Sequence, residues 1–228
     1  MRYKVLIFVF VSVYSSCRFT DNVYKQPSSN VLVTSETGTS EKINKLIEPY
    51  KLGMSEAMNK VIGFCPAFIE KKKPSSAIGS MMADAVMDAI NGIEKDVTFC
   101  LLNYGGIRSS LDSGAITVGE IFQIMPFENE IVVLKLESPY LDTLKYFVKR
   151  KNGEPLSDEV RSLDTDKIYE KGFFYLVTND YIANGGDNYS FLKNAVERES
   201  TGIKIREAII GYVKRNNPLV LDYKKRAL

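Results

Sequence analysis

The chain has 228 residues, of which 45% are hydrophobic, 11% aromatic and 25% charged, and this length supports one substantial core. The 30 Lys and Arg residues balance the 28 Asp and Glu residues once the first sixteen residues, which hold Arg2 and Lys4, are set aside. An even balance of interspersed charges argues against nucleic-acid binding. Because the chain has no histidine, it has no Ser-His-Asp triad, no His-activated cysteine and no His-containing zinc or di-metal site.

Residues 1–17, MRYKVLIFVFVSVYSSC, combine two basic residues, an apolar run and small polar residues ending in a cysteine. The apolar run is about half of the roughly 20 residues that a membrane span needs, so the pattern predicts a secretory signal. Cys17 resembles the lipidated cysteine of a bacterial lipoprotein, although Tyr14 stands where leucine is more usual. The alternative is a plain signal peptide cleaved near Ser16. We expect an exported protein, anchored by a lipid on Cys17 at the periplasm or cell surface.

The segment after this signal and the two remaining cysteines carry no sign of chemistry. Residues 18–40 are rich in Ser, Thr, Asn and Gly without a helical period, which predicts a flexible tether. Cys65 and Cys100 stand in apolar surroundings and favour core positions on strands. A disulfide between them is the alternative in an exported chain. A catalytic thiol would lack a histidine to activate it.

From residue 41 onward, helix and strand patterns follow one another without a regular βαβ rhythm or a GxGxxG motif. The first predicted elements are a helix over 41–58 leading into a strand that starts at 61–62, a helix capped by Ser75-Ser76 that stops at Asn91-Gly92, and a buried strand over 97–102. A short helix follows, opened by the capping box of Thr117 and Glu120, and then a strand over 131–136 and a helix started by Ser138-Pro139. The last predicted elements are a loop or poor hairpin over 149–171, a strand over 173–178 and a helix over 205–213 that ends before Pro218. This mixture predicts an α+β fold and not a Rossmann domain.

Three loops at the ends of predicted buried strands hold polar and aromatic residues that a core does not use. They are NYGGIR at 103–108, MPFEN at 125–129 and NDYIANGGD at 179–187. Glycine pairs allow tight turns close to a ligand, and Arg108 offers a planar fork for phosphate or carboxylate. Taken singly, the loops also fit a tight turn with a surface arginine, a hydrophobic plug and a capped turn. Together their aromatics, amides, acid and arginine suit a nucleotide.

The blocks around these loops, NYGGIRSSLDSGAITVGEIFQIMPFENEIVVLKL and YLVTNDYIANGGDNY, resemble the C-terminal, substrate-binding domain of the 5'-nucleotidase family. The upstream stretch IGSMMADAVMDA is similar to a helix of the same family, and the resemblance covers about residues 41–215. It implies a single domain over 41–228 with layered α/β/β/α architecture. The chain has neither the length nor a single histidine for the metallophosphatase domain that other members carry, so we expect it to stand alone.

The resemblance further implies a role for each matched residue. Asn103 and Arg108 would contact phosphate or sugar, and Phe127 and Tyr181 would stack on the two faces of the base. Tyr181 stands where the family often has Phe, a change that keeps the aromatic face. Where the family often has a phosphate-binding arginine, this chain has Lys71-Lys-Lys73, and Lys73 would substitute as a point charge. The complete set of expected substrate-binding residues is Asn103, Gly106, Arg108, Phe127, Asn129 at the base edge, Tyr181, and Asp187 on the ribose hydroxyls.

We therefore expect the nucleotide-binding half of a split 5'-nucleotidase, a hydrolase of phosphate esters in nucleotide catabolism. No catalytic residue, metal or other cofactor is expected in this chain, and divalent metals are expected on a separate metallophosphatase chain. The alternatives are a non-catalytic nucleotide-binding lipoprotein and a degenerate relic that serves as a surface scaffold.

Overall fold

The computed structural model describes residues 34, 38–74, 76–92 and 97–228. The chain divides into two compact units, Met1–Leu46 and Ile47–Leu228. The predicted signal over 1–17, including Cys17, and most of the predicted tether lie outside the described residues. No helix in the described part of the chain combines the length and apolar character that a membrane span requires.

The first described elements follow the sequence pattern. Helix α1 spans Glu41–Met58 and strand β1 spans Val61–Cys65. The apolar spacing that predicts α1 does not produce a buried face, because no residue of this helix is buried. Strand β1 pairs antiparallel with β3, Gly114–Thr117, which the sequence pattern did not predict.

Two predicted helix caps are present, whereas Ser138 does not cap the helix predicted to start at Ser138-Pro139, which begins at Tyr140 after Pro139. Helix α2, Ala77–Ala89, begins after Ser76, whose side chain accepts a hydrogen bond from the Gly79 N–H at 3.3 Å. Helix α3, Val118–Ile124, opens with the complete capping box, in which Thr117 and Glu120 each accept the other's backbone N–H at 3.2 and 2.7 Å. These local bonds satisfy N–H groups that a helix start leaves without partners.

A four-stranded sheet forms the centre of the second unit, in the order β2-β5-β4-β6. Strand β2 pairs parallel with β5, and β4 pairs antiparallel with both β5 and β6. The strands are β2 (Phe99–Cys100), β4 (Glu130–Glu137), β5 (Phe173–Asn179) and β6 (Glu197–Lys204). The run predicted as a strand over 97–102 is buried as expected at Phe99, Cys100 and Leu101, but it is shorter because Leu101 already bridges to Leu156.

Two elements in the charged second half of the chain correct the sequence prediction. The expected loop or hairpin over 149–171 contains a short 3₁₀ helix, Asp158–Ser162, and helix α5, Thr165–Lys171. Ile168 is the one buried residue of α5, so the helix shows no apolar period, and it is defined by its Asp164 cap and by Gly172 in the left-handed conformation. Strand β6 is polar along its length, as suits an edge strand.

The remaining helices cover both faces of the sheet. These helices are α4 (Tyr140–Arg150), α6 (Asp180–Ala183) and α7 (Ile205–Arg215). Helix α4 begins one position later than the Ser138-Pro139 pair predicted. One core lies on the side of α2, α7 and the small β1-β3 sheet, and the other lies on the side of α4 to α6. This arrangement confirms the α+β class. Cys65 and Cys100 are buried free thiols, so the disulfide considered for them is not formed.

The segment after α7 returns to helix α2 through an ion cluster. The guanidinium of Arg226 binds both carboxylate oxygens of Asp84 at 2.6 and 2.8 Å and one oxygen of Asp222 at 2.8 Å. It also donates to the carbonyl oxygen of Leu156 at 2.9 Å. Arg226 therefore ties three parts of the second unit together.

Candidate functional site

All seven residues predicted to bind substrate line a single cavity of about 370 Å³, together with Gly105. The sheet order explains why they meet. Parallel strands β2 and β5 end at the same edge of the sheet, and the antiparallel strand β4 begins there, since Ile131 pairs with Asn179. The three loops that the sequence separates by up to about 80 residues therefore share one sheet edge.

Asn103 connects two of these loops through its amide. Its Nδ2 donates to Asp187 Oδ2 at 2.8 Å, and its Oδ1 accepts from Asn179 Nδ2 at 3.0 Å. Asn179 in turn caps helix α6 by accepting the Ile182 N–H at 2.7 Å. At Gly106 a Cβ atom would lie 3.1 Å from Asn103 Oδ1, so glycine leaves the space that this amide occupies. Asn103 is thus held in place before any ligand binds.

Two aromatic rings line the cavity while remaining open to solvent. Phe127 is 41% exposed and Tyr181 is 46% exposed. The guanidinium of Arg108 lies 5.8 Å from the centroid of the Phe127 ring. A Cβ at Gly186 would come within 2.5 Å of the Tyr181 ring, so this ring takes its position only because residue 186 is glycine. Exposed aromatic faces on a concave surface offer stacking to a flat ligand.

Asp187 stands in the left-handed backbone region with φ of 51°, directly after Gly185-Gly186. Its Oδ1 accepts from the Tyr181 hydroxyl at 3.1 Å, and its own N–H donates back to that hydroxyl oxygen at 3.3 Å. Asp tolerates this backbone region better than most residues, and the reciprocal bonds stabilise it. Because a carboxylate has about four acceptor positions, Asp187 retains capacity for ligand hydroxyls.

Asn129 and Arg108 differ in how firmly they are held. Asn129 Nδ2 donates to Asp180 Oδ1 at 2.7 Å, and Asp180 is a contributor that the sequence analysis did not predict. Arg108 is exposed and makes one long hydrogen bond of 3.5 Å to the Gly105 carbonyl, with no ion pair to any carboxylate among the described residues. An arginine in this state is available to a ligand anion.

A charged cluster surrounds Tyr104, the residue between Asn103 and Gly105 of the cavity lining. The sequence predicts a role for only one member of this cluster, Lys73. The ammonium groups of Lys71 and Lys73 lie 4.6 and 4.9 Å from the centroid of the Tyr104 ring. The Tyr104 N–H donates to Glu154 Oε2 at 2.6 Å, and Lys151 Nζ lies 3.8 Å from Glu154 Oε1. Burial raises the pKa of Glu154. Glu154 lies in a Gly-Glu-Pro turn that gives no sequence signal of this contact.

Part of the chain matches a known protein family. The sequence model described as "5'-nucleotidase, C-terminal domain" matches residues 56–137, which include NYGGIR and MPFEN. Residues 56–137 are therefore similar to the C-terminal domain of 5'-nucleotidases.

Relatives of this domain are distant in sequence. An apyrase of Tabanus yao is 25% identical over 167 residues, covering 57% of this chain and 29% of the apyrase. Protein UshA of Yersinia enterocolitica is 20% identical over 212 residues, covering 84% of this chain and 38% of UshA. The chain thus spans well under half the length of these relatives.

Solved structures agree on the fold of the 5'-nucleotidase C-terminal domain. A 5'-nucleotidase precursor from Thermus thermophilus superimposes with a TM-score of 0.63 at 23% identity, covering 86% of this chain and 45% of that one. The NAD nucleotidase of Haemophilus influenzae superimposes with a TM-score of 0.56 at 15% identity, covering 78% and 39%.

Among the residues that the structure describes, no group of three or more His, Cys, Asp or Glu side chains is placed to hold a metal ion. The complete sequence also has no histidine.

Proposed function

We propose that this domain binds a nucleotide in the cavity and acts as the substrate-binding half of a 5'-nucleotidase, with a separate metallophosphatase chain hydrolysing the phosphate ester. The observation that carries the proposal is that two exposed aromatic rings, a carboxylate, two amides and the exposed guanidinium of Arg108 line one cavity of about 370 Å³. The names of the relatives, which include an apyrase and an NAD nucleotidase, support a nucleotide as the ligand.

Each group has a chemical counterpart on a nucleotide. Phe127 and Tyr181 would stack on the base, which is worth about 1–3 kcal/mol per stacked base in other proteins. Asn129 has its Nδ2 bound to Asp180, so its Oδ1 is the atom left for the base edge. Asp187 would accept the ribose hydroxyls, and Arg108 would bind a phosphate oxygen pair. Lys71 and Lys73, beside Tyr104, would add positive charge near that phosphate.

The exposure of Arg108 supports separate roles for this chain, which would bind the nucleotide, and a second protein, which would hydrolyse it. The residues of this chain hold the base and ribose and orient the ester, which removes rotational freedom before the reaction. Arg108 is exposed, so a phosphate bound there would remain accessible to a second protein. Water would attack phosphorus in the active site of that protein, and the bond from phosphorus to the 5' oxygen would break. Nucleoside and inorganic phosphate are the products.

The proposal includes a location. We infer that residues 1–17 direct export, that Cys17 carries the lipid and that residues 18–40 tether the domain to a bacterial membrane. Metabolic labelling with a radioactive fatty acid tests this directly. Label is expected in the wild-type chain and not in Cys17→Ser, and equal labelling of both would refute the anchor.

Calorimetric titration of the full chain with AMP, UMP and UDP-glucose tests nucleotide binding. Phe127→Ala is expected to weaken affinity by about 5- to 150-fold, the range that corresponds to one lost stacking contact. Asp187→Ala is expected to weaken it as well. Tyr50→Ala is the matched control, because Tyr50 is an exposed aromatic on α1 outside the cavity. Unchanged binding in both cavity variants, or no binding by the wild type, would contradict the proposal.

Phosphate release tests the division of labour. The metal-stripped chain alone is expected to release none from AMP, and phosphate release is expected when a metallophosphatase from the same cell is added. Turnover by the metal-stripped chain alone would overturn the split arrangement. Nucleotide binding without stimulation of any phosphatase would identify a non-catalytic binding lipoprotein instead.

A further inference from the structure

A buried carboxylate lies directly behind the cavity. Glu154 is 7% exposed, and its Oε2 accepts the Tyr104 N–H at 2.6 Å. Tyr104 stands between Asn103 and Gly105, both of which line the cavity. Glu154 is therefore hydrogen-bonded to the backbone of the turn that lines the cavity, at the residue between two lining residues.

Positive charge compensates for the burial of this carboxylate. Lys151 Nζ lies 3.8 Å from Glu154 Oε1, and Lys73 Nζ donates to the backbone carbonyl of Lys151, three residues before Glu154. Burial raises the pKa of Glu154, while the Tyr104 N–H and the charges of Lys73 and Lys151 act in the opposite direction. An uncompensated buried charge would be far more costly.

The groups that face Glu154 from the cavity side are acidic or neutral. The carboxylate of Asp187 raises the pKa of Glu154 further. The Tyr189 ring is fully buried, and burial together with the Glu154 and Asp187 carboxylates raises the pKa of its hydroxyl, which keeps Tyr189 neutral. Burial therefore makes the Glu154 carboxylate easier to protonate than an exposed glutamate.

We propose that Glu154 is a positioning residue for the nucleotide cavity, because its ionised carboxylate fixes the Tyr104 backbone and with it the turn that presents Asn103 and Gly106. The ligand in this inference rests on the proposed function, whereas the hold on the turn does not. A displaced turn would also disturb Asp187, since Asn103 donates to it at 2.8 Å.

The sign of the pH dependence follows. An ionised carboxylate is a stronger acceptor for an N–H group than a protonated one. The turn is therefore fixed above the pKa of Glu154 and loosens as the pH falls through it. Because burial raises that pKa, the loosening begins at a higher pH than an exposed glutamate would give.

The test combines NMR of the full chain with calorimetry. The Tyr104 amide proton is followed by ¹⁵N-resolved spectra from pH 7.5 to 4.5 in wild type and in Glu154→Gln. Its chemical shift is expected to titrate in the wild type and to stay constant in the variant. AMP affinity at neutral pH is expected to fall about tenfold in Glu154→Ala and less in Glu154→Gln, which keeps an acceptor oxygen.

Glu120→Gln is the matched control, because Glu120 also accepts a backbone N–H at 2.7 Å but stands outside the cavity. It is expected to change neither the Tyr104 titration nor the AMP affinity. Identical Tyr104 titrations in wild type and Glu154→Gln, or full AMP affinity in folded Glu154→Ala, would overturn the inference. If the wild type binds no AMP, the proposed function fails, and the Tyr104 titration still decides whether Glu154 holds the turn.

Discussion

Arg226 is the centre of the ion cluster that joins the C-terminal segment to helix α2, and Arg226→Met isolates its contribution. Arg226 is 6% exposed, and four of its contacts are bonds to Asp84, Asp222 and the Leu156 carbonyl. Methionine keeps the apolar stem and removes the guanidinium. The variant removes the guanidinium from Asp84 and from the Leu156 carbonyl, whereas Asp222 keeps its bond from Arg161 at 2.6 Å.

The expected loss of stability is about 3 kcal/mol, the low end of the range of about 3–5 kcal/mol for breaking a buried ion pair from one side. The low end applies because the side chains of Asp84 and Asp222 are 24% and 27% exposed, so water partly replaces the lost guanidinium. Urea unfolding of the full chain, followed by far-ultraviolet circular dichroism, measures the free energy of unfolding.

Arg215→Met provides the control for this experiment. Arg215 also pairs with an aspartate of α2, Asp88, but its side chain is 57% exposed. Exposed pairs contribute about 0–1 kcal/mol, so the control variant should be nearly as stable as the wild type. Equal losses in the two arginine variants would refute the reasoning from burial.

The same cluster predicts an acid dependence. Burial by itself would raise the pKa of Asp222, but hydrogen bonds from Arg226, the Lys224 N–H and Arg161 lower it to about 2. The stability that Asp222 contributes is present above the ordinary aspartate pKa of about 4 and is lost as the pH falls through about 2. Arg226→Met should flatten the stability profile within that window.

Three further outcomes are expected. The buried Tyr189 hydroxyl lies beside the Glu154 carboxylate without a hydrogen bond of regular geometry among the described residues, so Tyr189→Phe should change the free energy of unfolding by less than about 1 kcal/mol, and a larger drop would contradict this. Gly186→Ala should displace the Tyr181 ring, which would lie 2.5 Å from the new Cβ, and weaken AMP binding about tenfold or more by calorimetry. Burial raises the pKa of the Cys65 and Cys100 thiols, so a thiol reagent should label both slowly in the native chain and rapidly in urea, and fast native labelling would show that they are accessible.

The sequence predicts the positions of the cavity residues well because they interrupt buried strands. Asn103 and Asn179 end apolar runs, and a chain that leaves a buried strand with glycine and polar residues has few places to go except the sheet edge. The individual roles of these residues came from the resemblance to a family and remain proposals. The sequence also predicts the capping box of Thr117 and Glu120, because a capping box depends on two residues three positions apart.

The missed features depend on contacts that are distant in the chain or weakly apolar. Strand β6 and helix α5 bury few side chains, so their residues show no hydrophobic period. Glu154 and Tyr104 are 50 residues apart, and no local pattern marks their hydrogen bond. Asp180 holds Asn129 across 51 residues for the same reason. The register of β4 and β5 places Asn129 near Asp180, and the bridge between Leu101 and Leu156 brings the Glu154 segment to Tyr104.

The reciprocal hydrogen bonds between Tyr181 and Asp187 affect how the cavity meets its ligand. A phenylalanine in place of Tyr181 would present the same ring, but it would rotate more freely and leave Asp187 with two hydrogen bonds fewer. Ordering a side chain on binding costs about 0.5–1.5 kcal/mol, and here that entropy is lost when the chain folds. The hydroxyl therefore makes the cavity a preorganised receptor, for which association is closer to rigid docking than to induced fit.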